Sequence, residues 1–164
     1  MTDNVVQSSL AAGTPRHVQI LLFDDVEVLD FAGPFEVFGV TGLRSGPAPF
    51  RVETVGLSRG LVRARNGLMV QPNVSIEDAG RCDVLVLPGG YGTRREMHNA
   101  ALLAWIRRQV DGAEVILSVC TGALLLARAG LLAGIDASLH LVARLLGHAV
   151  AAETAAYMEY DWRR

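Results

Sequence analysis

Cysteine is scarce in this chain. Its two cysteines, Cys82 and Cys120, are too few for a disulfide framework and lack the clustered Cys/His spacing of a zinc site. Reduced thiols in a cytoplasmic protein are therefore the simplest reading, and neither a metal nor a cofactor is expected. Charge of one sign is also missing: 15 basic and 17 acidic residues leave a net charge of -2. Such a balance offers no basic face to a phosphate backbone, so nucleic acid is not an expected partner of this chain by itself. No apolar run reaches the roughly 20 residues needed to cross a bilayer: Arg128 interrupts ALLLARAGLLAG and Pro88 ends DVLVLP. The opening MTDNVVQSSLAAGTPR has no basic start followed by an apolar core, so no secretory signal is read there. Residues 1–16 are taken as a disordered tail. There is no internal repeat and no low-complexity segment.

What is present suits one globular domain over residues 17–164. Hydrophobic residues make up 51% of the 164-residue chain and charged residues 20%, and a chain of this size buries about 68–70% of its unfolded surface without covalent staples. His17 to Phe23 (HVQILLF) is a short, almost continuous apolar run, as in a strand covered on both faces. Gly33 to Leu43 opens with Gly-Pro, and Pro34 suits a first helical turn, so a helix is placed there. Phe50 to Val55 alternates like a half-buried strand. Leu61 to Val70 carries Asn66-Gly67 between apolar flanks, a hairpin signal.

Asp83 to Leu87 (DVLVL) and Glu114 to Val119 (EVILSV) read as two further buried strands. Between them a helix starts near Asn99, with Leu102, Leu103, Ile106 and Val110 on one face and Arg107, Arg108 and Asp111 off it. Strands alternating with helices imply an α/β fold with a mostly parallel sheet covered on both sides, and ligands in such sheets bind beyond the carboxyl ends of the strands. The chain then breaks its own pattern. Thr121 to Leu132, Ile135 to Leu146 and Val150 to Tyr160 read as three helices in succession with no strand between them, although a βα unit normally returns to the sheet.

Cys120 ends EVILSV and is followed by Thr-Gly-Ala and a helix, so its thiol belongs at a strand-to-helix turn. A helix N-terminus there favours the nucleophilic thiolate, and Gly122 and Ala123 keep the turn open. A buried structural cysteine is the alternative. Pro88-Gly89-Gly90 lies at the carboxyl end of DVLVL, where backbone N–H groups could face a developing negative charge; an ordinary tight turn reads the same way. Asp30 puts a carboxylate near the same rim. Its neighbours Leu29 and Phe31 are expected to desolvate it and raise its pKa, making it a proton donor, whereas Asp24, Asp25 and Glu27 read as solvated loop charges.

Three segments, DVEVLDFAGPFEVF, DVLVLPGG and SVCTGALLLARAGLLAG, together resemble the ThiJ/PfpI branch of the class-I glutamine-amidotransferase-like superfamily, and within it the isonitrile hydratases. The likeness runs from about His17 to Gly134 and resumes at Ile135, where GIDASLHLVARLLG and YMEYDW also fit. It implies a flavodoxin-like fold and an enzyme that hydrates an isonitrile to an N-substituted formamide. It further implies catalytic roles for Cys120, Thr121 and Asp30, with Gly89, Gly90 and Gly122 as substrate or oxyanion supports. A small-molecule substrate and a homo-oligomer are the implied partners. Related domains also form the sensor halves of AraC-like transcription regulators, but no helix-turn-helix is read up to Arg164.

One departure stands out. Family members normally continue GLL-x-G with a strand bearing a TTHW-like motif, a helix and further strands; here Gly134 runs directly into Ile135. The resemblance therefore implies an internal deletion that removes a histidine near the nucleophile and leaves a sheet edge uncovered. It makes an inactive, shortened family member the third reading. None of the remaining histidines is a convincing substitute: Asp136, His140, Arg144 and His148 form one polar helical stripe, His17 sits at the far end of the first strand, and His98, in the loop after Pro-Gly-Gly, could approach the cleft but is expected to be a surface-loop residue. Cys82 is read as structural. Tyr157, Met158, Tyr160 and Trp162 form an aromatic tail that either packs on the domain or serves a subunit interface.

Overall fold

The structure, a computed structural model, describes residues 14–44, 46–131, 133–158 and 162, with the backbone alone described for 133–137, 140 and 141. Residues 1–13 of the expected tail, Leu132, Tyr160 and the side chains of Asp136 and His140 lie outside that description. The sheet begins one residue earlier than expected, with β1 spanning Arg16–Leu22. Every residue of β1 after Arg16 is buried, because the strand lies mid-sheet and needs apolar side chains on both faces. Its partners are β2 (Phe50–Gly56) and β6 (Val84–Leu87), both parallel, with Val18 opposite Val52 and Val84.

A short hairpin of β3 (Val62–Arg63) and β4 (Met69–Val70) follows β2, and β5 (Val74–Ser75) then pairs with β2. The hairpin was legible: Asn66 and Gly67 both adopt positive φ, 61° and 87°, as a tight connection between twisted strands requires. Helix α2 (Thr93–Glu96) and helix α3 (Ala100–Val110) separate β6 from β7 (Val115–Ser118). Asn99 caps α3 by accepting the Leu102 N–H at 3.2 Å, satisfying one of the open donors of the first turn. Leu102, Leu103, Trp105 and Ile106 are buried on its inner face.

The main sheet has the order β5-β2-β1-β6-β7, and its pairings are all parallel. With its flanking helices it is the expected α/β, flavodoxin-like architecture. At its amino end the core turns polar. The Gln19 amide donates to Glu53 Oε2 at 3.1 Å and to the Gly80 carbonyl at 3.3 Å, and His17 Nε2 lies 3.0 Å from Glu53 Oε2. His17 is thus a strut at the far end of the sheet.

Three expectations need correction. Helix α1 spans Val28–Val40, five residues before the expected start at Gly33, and Pro34 sits inside it. A proline there removes one N–H bond and crowds the Asp30 carbonyl four residues back; α1 nevertheless rests on β2 through Phe38, edge-on to Phe50 with ring centres 5.0 Å apart. Strand β7 is not buried: Val115, Ile116 and Leu117 are exposed. Among the described strands β7 pairs only with β6, so its apolar run lacks the cover such a sequence normally receives. The third correction concerns the polar stripe. Helix α5 (Ala133–Leu146) ends before Gly147, and His148 opens α6 (His148–Tyr157), where its ring stacks on Trp162 at 5.9 Å.

The succession of helices is as expected, although the first is shorter: α4 covers Ala123–Arg128, followed by α5 and α6. Tyr157 and Met158 are exposed, so that part of the aromatic tail does not pack on the domain. Among the described residues no helix is long and apolar enough to cross a membrane.

The contrast between β6 and β7 sets an expected outcome. Leu85→Ala, in the buried β6 strand, should cost about 2–5 kcal/mol in urea unfolding, whereas Leu117→Ala on exposed β7 should stay near about 0.5 kcal/mol. Val115→Lys should also lower concentration-dependent light scattering, because a charge blunts an open edge. Equal losses at Leu85 and Leu117 would mean that β7 is covered in solution.

Candidate active site

The carboxyl ends of β1, β6 and β7 are neighbours in the sheet, so the segments that leave them meet. The Val119 N–H donates to the Leu87 carbonyl at 3.0 Å, carrying the β6–β7 ladder up to Cys120. There the chain reverses. Cys120 has φ 51°, a left-handed conformation that costs a side-chain-bearing residue on the order of 1–2 kcal/mol. Cys120–Gly122 form a single 3-10 turn before α4 begins, closed by Gly122 N–H on the Val119 carbonyl at 2.9 Å. A Cβ on Gly122 would overlap the Leu87 carbonyl oxygen, so glycine is required for the turn to lie down on β6. The result is an exposed Cys120 thiol on a strained strand-to-helix turn, the arrangement of a nucleophile elbow. The following regular helix is only six residues long, shorter than expected, and its dipole is correspondingly weak.

Asp30 reaches the same place by a route the sequence reading missed. The earlier start of α1 puts Asp30 in its first turn, where a carboxylate is favoured by the helix dipole. Its Oδ2 accepts the Gly89 N–H at 3.0 Å, while the Glu27 N–H donates to the Gly89 carbonyl at 2.9 Å. Val26 and Gly90 add an antiparallel bridge. The expected flanking by two apolar residues does not hold. Phe31 is buried, but Leu29 is 78% exposed, so the Gly89 amide, and not an apolar sleeve, defines the surroundings of Asp30.

Gly89 stands between the two groups. A Cβ placed on it would come 2.6 Å from Thr121 N and 2.9 Å from Cys120 Cβ; any side chain here would force the Cys120 turn away from the Asp30 loop. The amides expected to face a substrate have partners within the protein. Gly89 N–H is held by Asp30, and Gly90 N–H donates to Thr121 Oγ1 at 3.0 Å. Thr93, buried at the start of α2, donates from Oγ1 to the Gly90 carbonyl at 2.8 Å and lies 3.1 Å from Thr121 Oγ1. Thr121 thereby fastens the Pro-Gly-Gly turn to the elbow. Thr93 carried no signal in the sequence beyond its place after that turn.

The other candidates are elsewhere. Cys82 is buried, its Sγ is 3.6 Å from Gln109 Oε1, and burial, reinforced by Asp83, pushes its pKa up to about 11. It therefore stays protonated at neutral pH, as suits a structural thiol. His98 is exposed beyond α2. Two surface clefts, of about 320 Å³ beside Phe23, Leu57 and Arg95 and about 310 Å³ beside Gly80 and Gln109, exclude Cys120 and Asp30. Among the described residues no group of three or more His, Cys, Asp or Glu side chains is placed to hold a metal ion.

Residues 16–160 match the model of the DJ-1/PfpI family, and the chain belongs to that family. Over 123 residues it is 37% identical to an isonitrile hydratase of Pseudomonas putida, covering 75% of this chain and 51% of that protein. The chain thus spans about half the length of that relative. It is also 30% identical to the HTH-type transcriptional regulator GbdR of Pseudomonas aeruginosa, over 77% of this chain and 34% of the regulator. In fold it is similar to a ThiJ/PfpI family protein from Pseudomonas syringae, with a TM-score of 0.68 at 23% identity, covering 100% of this chain and 83% of that one.

Two outcomes are expected of the site. Iodoacetamide at about pH 8 should label Cys120, whereas Cys82 should react only after unfolding or as the pH approaches its value of about 11; peptide mapping distinguishes them. Gly89→Ala should destabilise the fold by about 1–3 kcal/mol, as overpacking typically does. An unchanged melting temperature would mean that the elbow and the Asp30 loop are not in close contact.

Proposed function

We propose that the chain is a cysteine-dependent isonitrile hydratase, in which Cys120 is the nucleophile and Asp30 the proton carrier. The observation that carries this reading is the juxtaposition at Gly89: the elbow bearing an exposed Cys120 on one side and the Asp30 carboxylate on the other. The 37% identity to an isonitrile hydratase supplies the substrate class. In the reaction the Cys120 sulfur forms a bond to the terminal carbon of R–NC, and a proton delivered through Asp30 reaches that carbon, giving a thioimidate. Asp30 takes a proton from the water that adds to the thioimidate carbon and passes it to the nitrogen; as the carbonyl forms and the C–S bond breaks, the hydroxyl proton returns to Asp30, releasing the N-substituted formamide and the thiolate. Thr121 acts by positioning, since it binds the Pro-Gly-Gly turn to the elbow.

A second reading has its own support. Sequence similarity to GbdR and the internal engagement of the Gly89 and Gly90 amides favour a domain that senses a small molecule without turning it over. A homo-oligomer is compatible with either reading, with the bare β7 edge as a site of association.

Turnover separates the two readings. Purified protein mixed with an alkyl isonitrile should form the formamide, followed by NMR; Cys120→Ala should abolish it, and Asp30→Asn should slow it by roughly 10²–10⁴-fold. Ligand-induced stabilisation with no product above the Cys120→Ala background would decide for the sensor.

A further inference from the structure

We propose that Arg65 and Arg94 form an anion-recognising rim beside the Cys120 site, so that the substrate it takes is an isonitrile carrying a carboxylate. The choice of isonitrile rests on the hydratase reading above; the anion rim does not.

The two arginines come from separate segments and converge on one ring. Arg65 lies at the tip of the β3–β4 hairpin, which is docked on the β1–α1 loop: Arg65 N–H donates to the Val26 carbonyl at 2.9 Å, and Asp25 N–H to the Arg63 carbonyl at 2.8 Å. Val26 in turn bridges to Gly90, the residue before Tyr91. The Arg65 guanidinium carbon is 5.9 Å from the centre of the Tyr91 ring and that of Arg94 is 5.5 Å from it. Tyr91 itself is largely exposed. One residue back, Gly90 is hydrogen-bonded to Thr121, the residue after Cys120, so the segment carrying this ring is tied to the elbow.

Of the nearby carboxylates, Glu27 in the β1–α1 loop pairs with neither arginine, and four others are committed to other partners. Asp24 Oδ1 accepts the Arg63 N–H at 2.8 Å, Asp25 Oδ2 is 3.6 Å from Arg95 Nη1, Glu96 is bonded by Arg95 and Asn99, and Asp30 by Gly89. Among the described residues Arg65 and Arg94 have no ion-pair partner. Two like charges held at one ring repel each other, and a solvent-exposed cation–π contact offsets little of that. An anion bound by both relieves the repulsion. Among the described residues neither guanidinium donates a side-chain hydrogen bond, so both keep N–H groups for a carboxylate, which arginine binds through two parallel bonds.

The test compares isocyanoacetate with its methyl ester, which differ in that charge, using the intact protein, Arg65→Gln/Arg94→Gln, Arg65→Lys/Arg94→Lys, and Arg44→Gln as a charge loss at an exposed position outside the rim. The acid should be preferred over the ester roughly tenfold in kcat/KM at low salt, and added salt should shrink the preference. The preference should fall to near unity in the double Gln variant, be partly kept in the double Lys variant, and persist in Arg44→Gln. A preference at or below unity in the unmodified protein, or one that survives in the double Gln variant, overturns the proposal. If neither isonitrile is turned over, the hydratase reading fails and calorimetry with N-formylglycine against its methyl ester decides the rim separately. Tighter binding of the acid, lost in the double Gln variant, supports the rim; equal or absent binding overturns it.

Discussion

Between the Asp30 carboxylate and the turn that carries Cys120 there is room for one strip of backbone and no side chain, and Gly89 fills it. Everything at the carboxyl edge of the sheet is arranged around that close approach. The parallel order β1-β6-β7 brings three strand ends together, and the loop after each contributes one part: Asp30 from α1, the glycine pair from the β6 turn, Cys120 from the elbow. Hydrogen bonds from Gly89 to Asp30 and from Gly90 to Thr121 lock the three loops to one another. The left-handed Cys120 costs on the order of 1–2 kcal/mol, and this network, with Gly122 lying on the end of β6, is what over-determines it.

The same strand that presents Cys120 is poorly covered. Strand β7 is apolar yet exposed, because the chain passes from α4 into two further helices and, among the described residues, never returns to pair with it. The site therefore has a well-tied floor and an open side. Openness affects chemistry as well as stability: a charge developing near Cys120 meets water where an enclosed site would exclude it, and preorganised dipoles are worth less there. An arginine pair at the rim is one way for such an open site to hold an anionic substrate.

Much of this was legible in the sequence because the signals were local. The Asn66-Gly67 hairpin, the helix start near Asn99 and the β-strand runs each depend on a few adjacent residues, and Cys120 at the end of EVILSV was placed by its position alone. Asp30 was placed near this rim for the wrong physical reason. Pro34 suggested a helix start at Gly33, which hid the fact that Asp30 occupies the first turn of a helix beginning at Val28; Leu29, taken as its apolar cover, points into water. The burial of EVILSV was misread because cover depends on what the rest of the chain supplies, although the missing strand after Gly134 pointed to an open edge. Thr93, and the convergence of Arg65, Tyr91 and Arg94, were beyond sequence reading, since they join residues that only the fold brings together.

The central claim is that the strained, Gly89-braced Cys120 is the nucleophile toward a small electrophilic carbon. Rapid quenching of the protein during incubation with an alkyl isonitrile, followed by peptide mass mapping, tests it most directly. The account predicts an adduct equal to the mass of one isonitrile on the peptide containing Cys120 and none on the peptide containing Cys82. An adduct on Cys82, or an unmodified Cys120 while formamide accumulates, would contradict it.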